Sequence, residues 1–235
     1  MTNSFGTNGL AVVIGASGGI GRAITESLEA DDSFARVLRF SRSGSPSIDL
    51  TDERTIIRAT ETIKATGLPL RLVFNAAGVL HDGDLMPEKS WRDIDPEHLQ
   101  RCFAVNATGP MLLMKHLLPL LAADGKTVFA TLSARVGSIG DNDLGGWYAY
   151  RASKAALNQF VKTAAVELRR RRPQAICIAL HPGTVDTGLS SPFSKSGLDV
   201  QTPDVAAKRL LQTIQQLEPG DSGGFRDGFG QSIPW

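Results

Sequence analysis

Short apolar runs rich in β-branched residues alternate along the chain with longer stretches whose apolar positions recur every three or four residues. The short runs are LAVVIGA (10–16), RVLRFSR (36–42), the very short SIDL (47–50), LRLVFNAAG (70–78), KTVFATLS (126–133) and QAICIALHPG (174–183). Each has the length and composition of a buried strand. The glycine-rich tail DSGGFRDGFGQSIPW has room for one more short strand. The intervening stretches read as helices. GIGRAITESLEA follows the first run, and TDERTIIRATETIKATG has Thr51 and Asp52 as caps and Gly67 as its stop. A long helix is expected from about residue 95 to 121, with Pro96 in its first turn and a kink at Gly109–Pro110. Another runs from about 146 to 172 and is stopped by Pro173, and the last is TPDVAAKRLLQTIQQL. This alternation predicts an α/β fold, one doubly wound domain over residues 1–235, with a mostly parallel seven-stranded sheet and helices on both faces. Ligands of such sheets bind outside the carboxyl ends of the strands.

Composition narrows the function classes. At 235 residues with a net charge of +1, the chain can bury its own core without a metal or disulfide. Charges of both signs are interspersed, so neither nucleic acid nor membrane is the expected partner. The basic run 168–173 closes a helix, where cations are favoured. Cys102 and Cys177 sit in apolar runs without CxxC spacing and read as small buried hydrophobes. His81, His98, His116 and His181 form no metal-ligand spacing and read as structural or loop residues. No signal-type segment and no apolar run near ~20 residues is present, so the cytoplasm is the expected compartment.

Candidate chemistry begins at IGASGGIG, between the first strand and first helix, with glycines at 15, 19 and 21. Gly15 allows a tight turn, Gly19 lets the backbone approach a phosphate, and Gly21 lets the helix pack closely. The first helical turn then offers N–H groups to an anion. After the second strand stand Ser41 and Arg42 rather than a carboxylate. Nothing there repels a ribose 2′-phosphate and Arg42 can bind one, so NADP(H) is expected in preference to NAD(H). Asp49, followed by Leu50, has two readings of equal weight: a bond to the adenine edge, or a cap or turn.

Tyr148 and Tyr150 are the only tyrosines. Tyr150 and Lys154 stand at i and i+4 on one helical face, whereas Tyr148 points nearly opposite. A phenol titrates near ~10, and an adjacent ammonium would stabilise its phenolate. The pair can give a proton to a carbonyl oxygen or take one from an alcohol. Ser133 ends the fifth strand on the same sheet edge and can donate to the same oxygen; Ser138, beyond the strand, competes for that role.

With GASGGIG (15–21), NAAG (75–78), VNATGP (105–110), Ser133, YRASK (150–154) and HPGTVDT (181–187), the chain resembles the short-chain dehydrogenase/reductase family over nearly its whole length. TLSARVGSIGDNDLGGWYAYRASKAALN, ALHPGTVDTGLSSPF and the terminal IPW resemble its C-factor-like branch, grouped with the sniffer-type carbonyl reductases. The resemblance implies a Rossmann-type sheet and hydride transfer with a nicotinamide cofactor. It implies Tyr150 as general acid/base, Lys154 on the nicotinamide ribose and lowering the tyrosine pKa, Ser133 polarising the carbonyl, and Asn106 holding a water in a proton relay. Cofactor contacts would come from Gly15, Ser17, Gly19, Ile20 and Gly21, from Ser41, Arg42, Asp49 and Leu50, and from Asn75, Ala76, Ala77 and Gly78. Tyr150, Lys154, Pro182, Gly183, Val185 and Thr187 would lie toward the nicotinamide. Ile14 stands where the family usually has threonine.

A polar insert near 184–203 is the expected substrate lid, with Leu189 and Phe193 as contacts. A second, 81–95, forms another wall or a surface loop. The expected partner is a small carbonyl or alcohol substrate, and the family implies a homodimer or homotetramer. A signalling or regulatory dinucleotide-binding protein without required turnover is the competing class. An epimerase or dehydratase is a third, lacking room for a large C-terminal sugar-binding domain.

Overall fold

The computed structural model describes residues 5, 6, 8–83, 85–189 and 200–235. Its strands are β1 (Gly9–Ile14), β2 (Phe34–Phe40), β3 (Leu70–Asn75), β4 (Thr127–Leu132), β5 (Ala175–His181), β6 (Thr184–Val185), β7 (Val200–Gln201) and β8 (Phe225–Asp227). Six make one parallel sheet in the order β2-β1-β3-β4-β5-β8, while β6 and β7 pair separately. The order reverses beside β1, which opens a crevice at the carboxyl ends of β1 and β3.

The main sheet therefore has six strands among the described residues, not the expected seven. The tail supplies β8, but SIDL is not a strand. Its donors are used locally: Ile48 N–H goes to Ser41 O at 3.0 Å and Asp49 N–H to Thr55 Oγ1 at 2.9 Å. Ile48 and Leu50 are nonetheless buried in the core. Side-chain and short-range bonds of this kind compete with a ladder, and four residues are too few to resist them.

Period-two alternation divides the core. Leu10, Val12 and Ile14 of β1 face α2 (Glu53–Ala65), α4 (Gly109–Leu117) and α5 (Tyr148–Arg171). Ala11 and Val13 face α1 (Gly19–Glu29) and α6 (Pro203–Gln216). Asp52, one of the two caps expected, caps α2, and Thr202 caps α6.

The long helix expected over 95–121 is built in pieces: α3 (Pro96–Phe103), a π turn (Ala104–Thr108), α4 and a 3-10 turn (Leu118–Leu120). Pro110 has no N–H for the carbonyl of Asn106, four residues back. The ladder widens there, with Gly109 N–H donating to Ala104 O. A Cβ on Gly109 would stand 2.5 Å from Leu50 Cβ, so the kinked segment packs against the residues after β2.

Candidate active site

The glycine turn folds on itself through Gly15, at φ +80°. A Cβ on Gly21 would lie 2.2 Å from Gly15 O, so only glycine lets α1 start this close to the strand end. No side chain caps α1 and no carboxylate occupies its first turn. That leaves an electropositive helix end suited to an anion. A Cβ on Gly19 would meet Thr187 Cγ2 at 2.8 Å, which joins the turn to the segment after β6.

Two neighbouring cavities open on this edge. The first, about 320 Å³, is lined by nine of the expected residues: Gly15, Ser17, Ser41, Arg42, Asp49, Leu50, Ala76, Ala77 and Gly78. His81 and Asp82 also line it, so the insert 81–95 supplies a wall, and Arg101 is a cation that sequence reasoning missed. Asp49 realises its turn reading, with Oδ1 accepting Thr51 N–H at 2.9 Å and Thr51 Oγ1 at 2.7 Å. These bonds, then Arg42 and Arg101, hold its carboxyl below the usual range against the opposing effect of burial.

The second cavity, about 370 Å³, is lined by Ile20, Ser133, Tyr150, Pro182, Gly183, Val185 and Thr187, with apolar Leu80, Val136, Leu144 and Trp147. Leu189 borders both cavities, whereas Phe193 and half of the expected lid, residues 190–199, lie outside the described residues. Ser138 lines neither cavity; it is buried and its Oγ accepts Asp141 N–H at 3.1 Å. Tyr148 lines neither, at the first position of α5.

Lys154 lies one turn beyond Tyr150, its Nζ 5.7 Å from the phenol ring centroid and donating to Leu132 O at 2.9 Å. Burial pushes this ammonium down to about 8. The expected lowering of the Tyr150 pKa is not met in this fold. Burial, then Cys102, pushes the phenol above its ordinary value. The ammonium serves the Leu132 carbonyl, and desolvation of the phenolate prevails. Tyr150 is therefore protonated near neutrality.

Ser133 Oγ donates to Asn158 Oδ1 at 2.7 Å, and Asn158 Nδ2 donates to Gly137 O at 3.3 Å. Sequence reasoning missed Asn158, two turns after Tyr150 on the same helix; its i+8 spacing was the available signal. Asn106 sits behind the site, in the π turn. Its Nδ2 donates to Val79 O at 2.7 Å and Ser153 Oγ at 3.1 Å, while Oδ1 accepts Val79 N–H at 2.8 Å. Both amide hydrogens are engaged by protein, so the side chain clamps the loop residue Val79, after NAAG, to α5 rather than offering a donor to water. Asn75 holds β3 to β4 through Thr131 Oγ1 at 3.0 Å.

The start of α5 depends on a distant loop. Gly145, Gly146 and Trp147 all have positive φ, and no α5 side chain caps the helix. Glu88 does so, its backbone oxygen accepting Trp147 N–H at 2.6 Å and its Oε2 accepting Ala149 N–H at 3.2 Å. Glu88 Oε1 lies 3.3 Å from His98 Nδ1, near enough for attraction but without hydrogen-bond alignment. Cys102 continues this buried cluster, and burial with Glu88 pushes its thiol up to about 11.

A parallel doubly wound sheet with its cavities on the carboxyl edge makes this a Rossmann-type α/β protein. The chain belongs to the short-chain dehydrogenase family of oxidoreductases, whose model matches residues 45–197. It is 30% identical to 1-hydroxy-2-glutathionyl-2-methyl-3-butene dehydrogenase of Rhodococcus sp. (strain AD45), covering 95% of this chain and 98% of the relative. It is 34% identical to the C-signal protein of Myxococcus xanthus, over 76% of this chain and 100% of that one. The sniffer carbonyl reductase of D. melanogaster superposes with a TM-score of 0.82 at 25% identity, covering 97% of this chain and 100% of that chain. The NADPH-bound carbonyl reductase from chicken fatty liver superposes at 0.86 and 24% identity, covering 100% of this chain and 97% of that one. No helix of the described residues is long and apolar enough to cross a membrane.

Proposed function

We propose that the chain is an NADPH-dependent reductase of a small carbonyl compound, reversible as an alcohol dehydrogenase. The observation that carries this reading is the convergence of Ser133 and Tyr150 on one cavity, beside a second cavity opened by the glycine turn. The residues present fit a dinucleotide: the uncapped start of α1 suits a pyrophosphate, and exposed Arg42 at the cavity wall suits a 2′-phosphate. When bound, the nicotinamide supplies or accepts the hydride. Tyr150, kept protonated by burial, gives its proton to the carbonyl oxygen. Ser133 turns its hydroxyl from Asn158 Oδ1 to the same oxygen. Lys154 holds the ribose hydroxyls, and Asn106 keeps the adjoining backbone in place as a positioning residue. The segment 184–203 serves as a lid, pinned at its base by the β6–β7 pair and by Asp186 N–H to Gln201 O at 2.9 Å.

The same reading makes the protein a single-domain cytoplasmic homo-oligomer. A panel of aldehydes, ketones and quinones, followed by NADPH absorbance, tests it, and no turnover of any member would count against reductase activity. The likeness to a protein named C-signal favours a second reading, dinucleotide binding in a signalling or regulatory role. That reading expects a Tyr150→Phe protein to keep its cellular role while binding NADPH normally; the enzymatic reading expects the role to be lost.

A further inference from the structure

Ser133 and His181 each follow the last registered pair of β4 and β5, Leu132↔Leu180, and Ser133 N–H continues the ladder to Leu180 O at 2.8 Å. Adjacent parallel strands lie ~4.8 Å apart and registered side chains share a face. His181 therefore stands one strand over from Ser133, and both line the second cavity. A hydrogen bond to the ring assigns its tautomer. Arg135 N–H donates to His181 Nδ1 at 3.3 Å, so Nδ1 carries the lone pair. A neutral ring then carries its proton on Nε2, which has no protein partner among the described residues. Burial, with Arg135 adding, pulls the ring's pKa down to about 4, which keeps it neutral at pH 7. Arg135 does not compete for the substrate as a free cation: Asp141 Oδ2 lies 3.2 Å and Asp227 Oδ2 3.9 Å from its guanidinium.

We propose that His181 is a specificity-determining residue, whose Nε2–H donates to a second, neutral oxygen acceptor on the substrate, beside the carbonyl held by Ser133 and Tyr150. The inference rests on the reading of that pair as the carbonyl-binding group. The donor has a fixed direction because its ring is held from the other side by the Arg135 backbone. It selects ketones bearing a nearby carbonyl, hydroxyl or ether oxygen over those with a methylene there.

Two substitutions separate the ring's bonds. His181→Asn keeps an acceptor where Nδ1 stands and loses the distal donor. His181→Gln keeps an N–H near the place of Nε2 and loses the proximal acceptor. The probes are 1-phenyl-1,2-propanedione and propiophenone, which differ in one carbonyl oxygen. In His181→Asn, kcat/KM for the dione should fall about 10- to 100-fold, the cost of an unmatched polar group, with propiophenone unchanged. His181→Gln should retain most of the preference. In parallel, ¹⁵N shifts of the His181 ring in NADPH-loaded protein should move at Nε2 on adding the dione and not on adding propiophenone. Equal losses for both ketones, or an Nε2 signal indifferent to the dione, would overturn the assignment. A protein that reduces neither ketone counts against the reductase reading, and the ring shifts then still decide the role of His181.

Discussion

At the scale of single residues, the tyrosines give the sharpest test. Tyr150→Phe removes one hydroxyl and little packing, so reduction should fall by roughly 10²–10⁴ with NADPH affinity nearly unchanged. Tyr148→Phe should cost little, because Tyr148 borders neither cavity. Steady-state kinetics beside NADPH binding by fluorescence checks both, and a dead Tyr148→Phe with an active Tyr150→Phe would reverse the assignment. Lys154 gives a pH prediction with a definite sign. Its folded pKa, about 8, lies below the ordinary lysine value because of burial, so the ammonium is charged below pH 8 and is lost as pH rises through it. NADPH should therefore bind more weakly from pH 8 upward, and Lys154→Met should flatten that dependence in a fluorescence titration. In the proposed reading cofactor choice falls to Arg42, which is exposed at the cavity wall. Arg42→Asp should turn preference toward NADH by removing a donor set and adding repulsion. Equal dissociation constants of the wild type for NADPH and NADH would remove the basis for that prediction. Much of this site was legible because i, i+4 spacing and strand ends are local facts. The raised pKa of the phenol was not legible, since its burial and the neighbouring Cys102 both follow from tertiary packing.

At the scale of elements, the alternation of apolar periods located the main strands and helices, and failed where local bonds or prolines intervene. SIDL has the apolar residues of a strand, and it buries Ile48 and Leu50, but its backbone donors turn back to Ser41 and Thr55. The helix over 95–121 was expected to kink at Pro110; that the kink takes the form of a π turn placing Asn106 against Val79 and Ser153 follows only from packing. The cap of α5 was invisible in sequence, since Glu88 lies 61 residues from Ala149. Its removal is a test at this scale. Glu88→Ala leaves the buried Ala149 N–H without its acceptor and His98 without its neighbour, at a cost of about 1–3 kcal/mol for an unmatched buried donor. The midpoint of urea unfolding should drop accordingly, and Glu88→Gln, which keeps an acceptor, should recover part of the loss. A midpoint unchanged in Glu88→Ala would show that α5 starts without this cap.

At the scale of the molecule, α5 bears exposed positions on its side away from the sheet. The 24 residues of α5 span roughly 36 Å at ~1.5 Å per residue, and its exposed positions include Ala152, Gln159, Thr163 and Val166, beside charged Lys162, Glu167 and Arg170. Beside it, α4 keeps Met111 and Leu112 only partly buried. Small residues let a second helix approach closely, and the adjacent partly buried side chains add apolar area to a shared face. This supports the proposed homodimer or homotetramer, paired through α4 and α5. A stable interface needs on the order of 800 Å² per partner, which one long helix with its neighbour can supply. Val166→Arg places a guanidinium and its solvation shell in the middle of that face. Sedimentation equilibrium at micromolar concentration should give a dimeric or tetrameric mass for the wild type and a monomeric mass for Val166→Arg. Because Val166 lines neither cavity, NADPH should still bind the separated chains. A wild type that sediments as a monomer would refute the pairing, and an undissociated Val166→Arg would place the interface elsewhere.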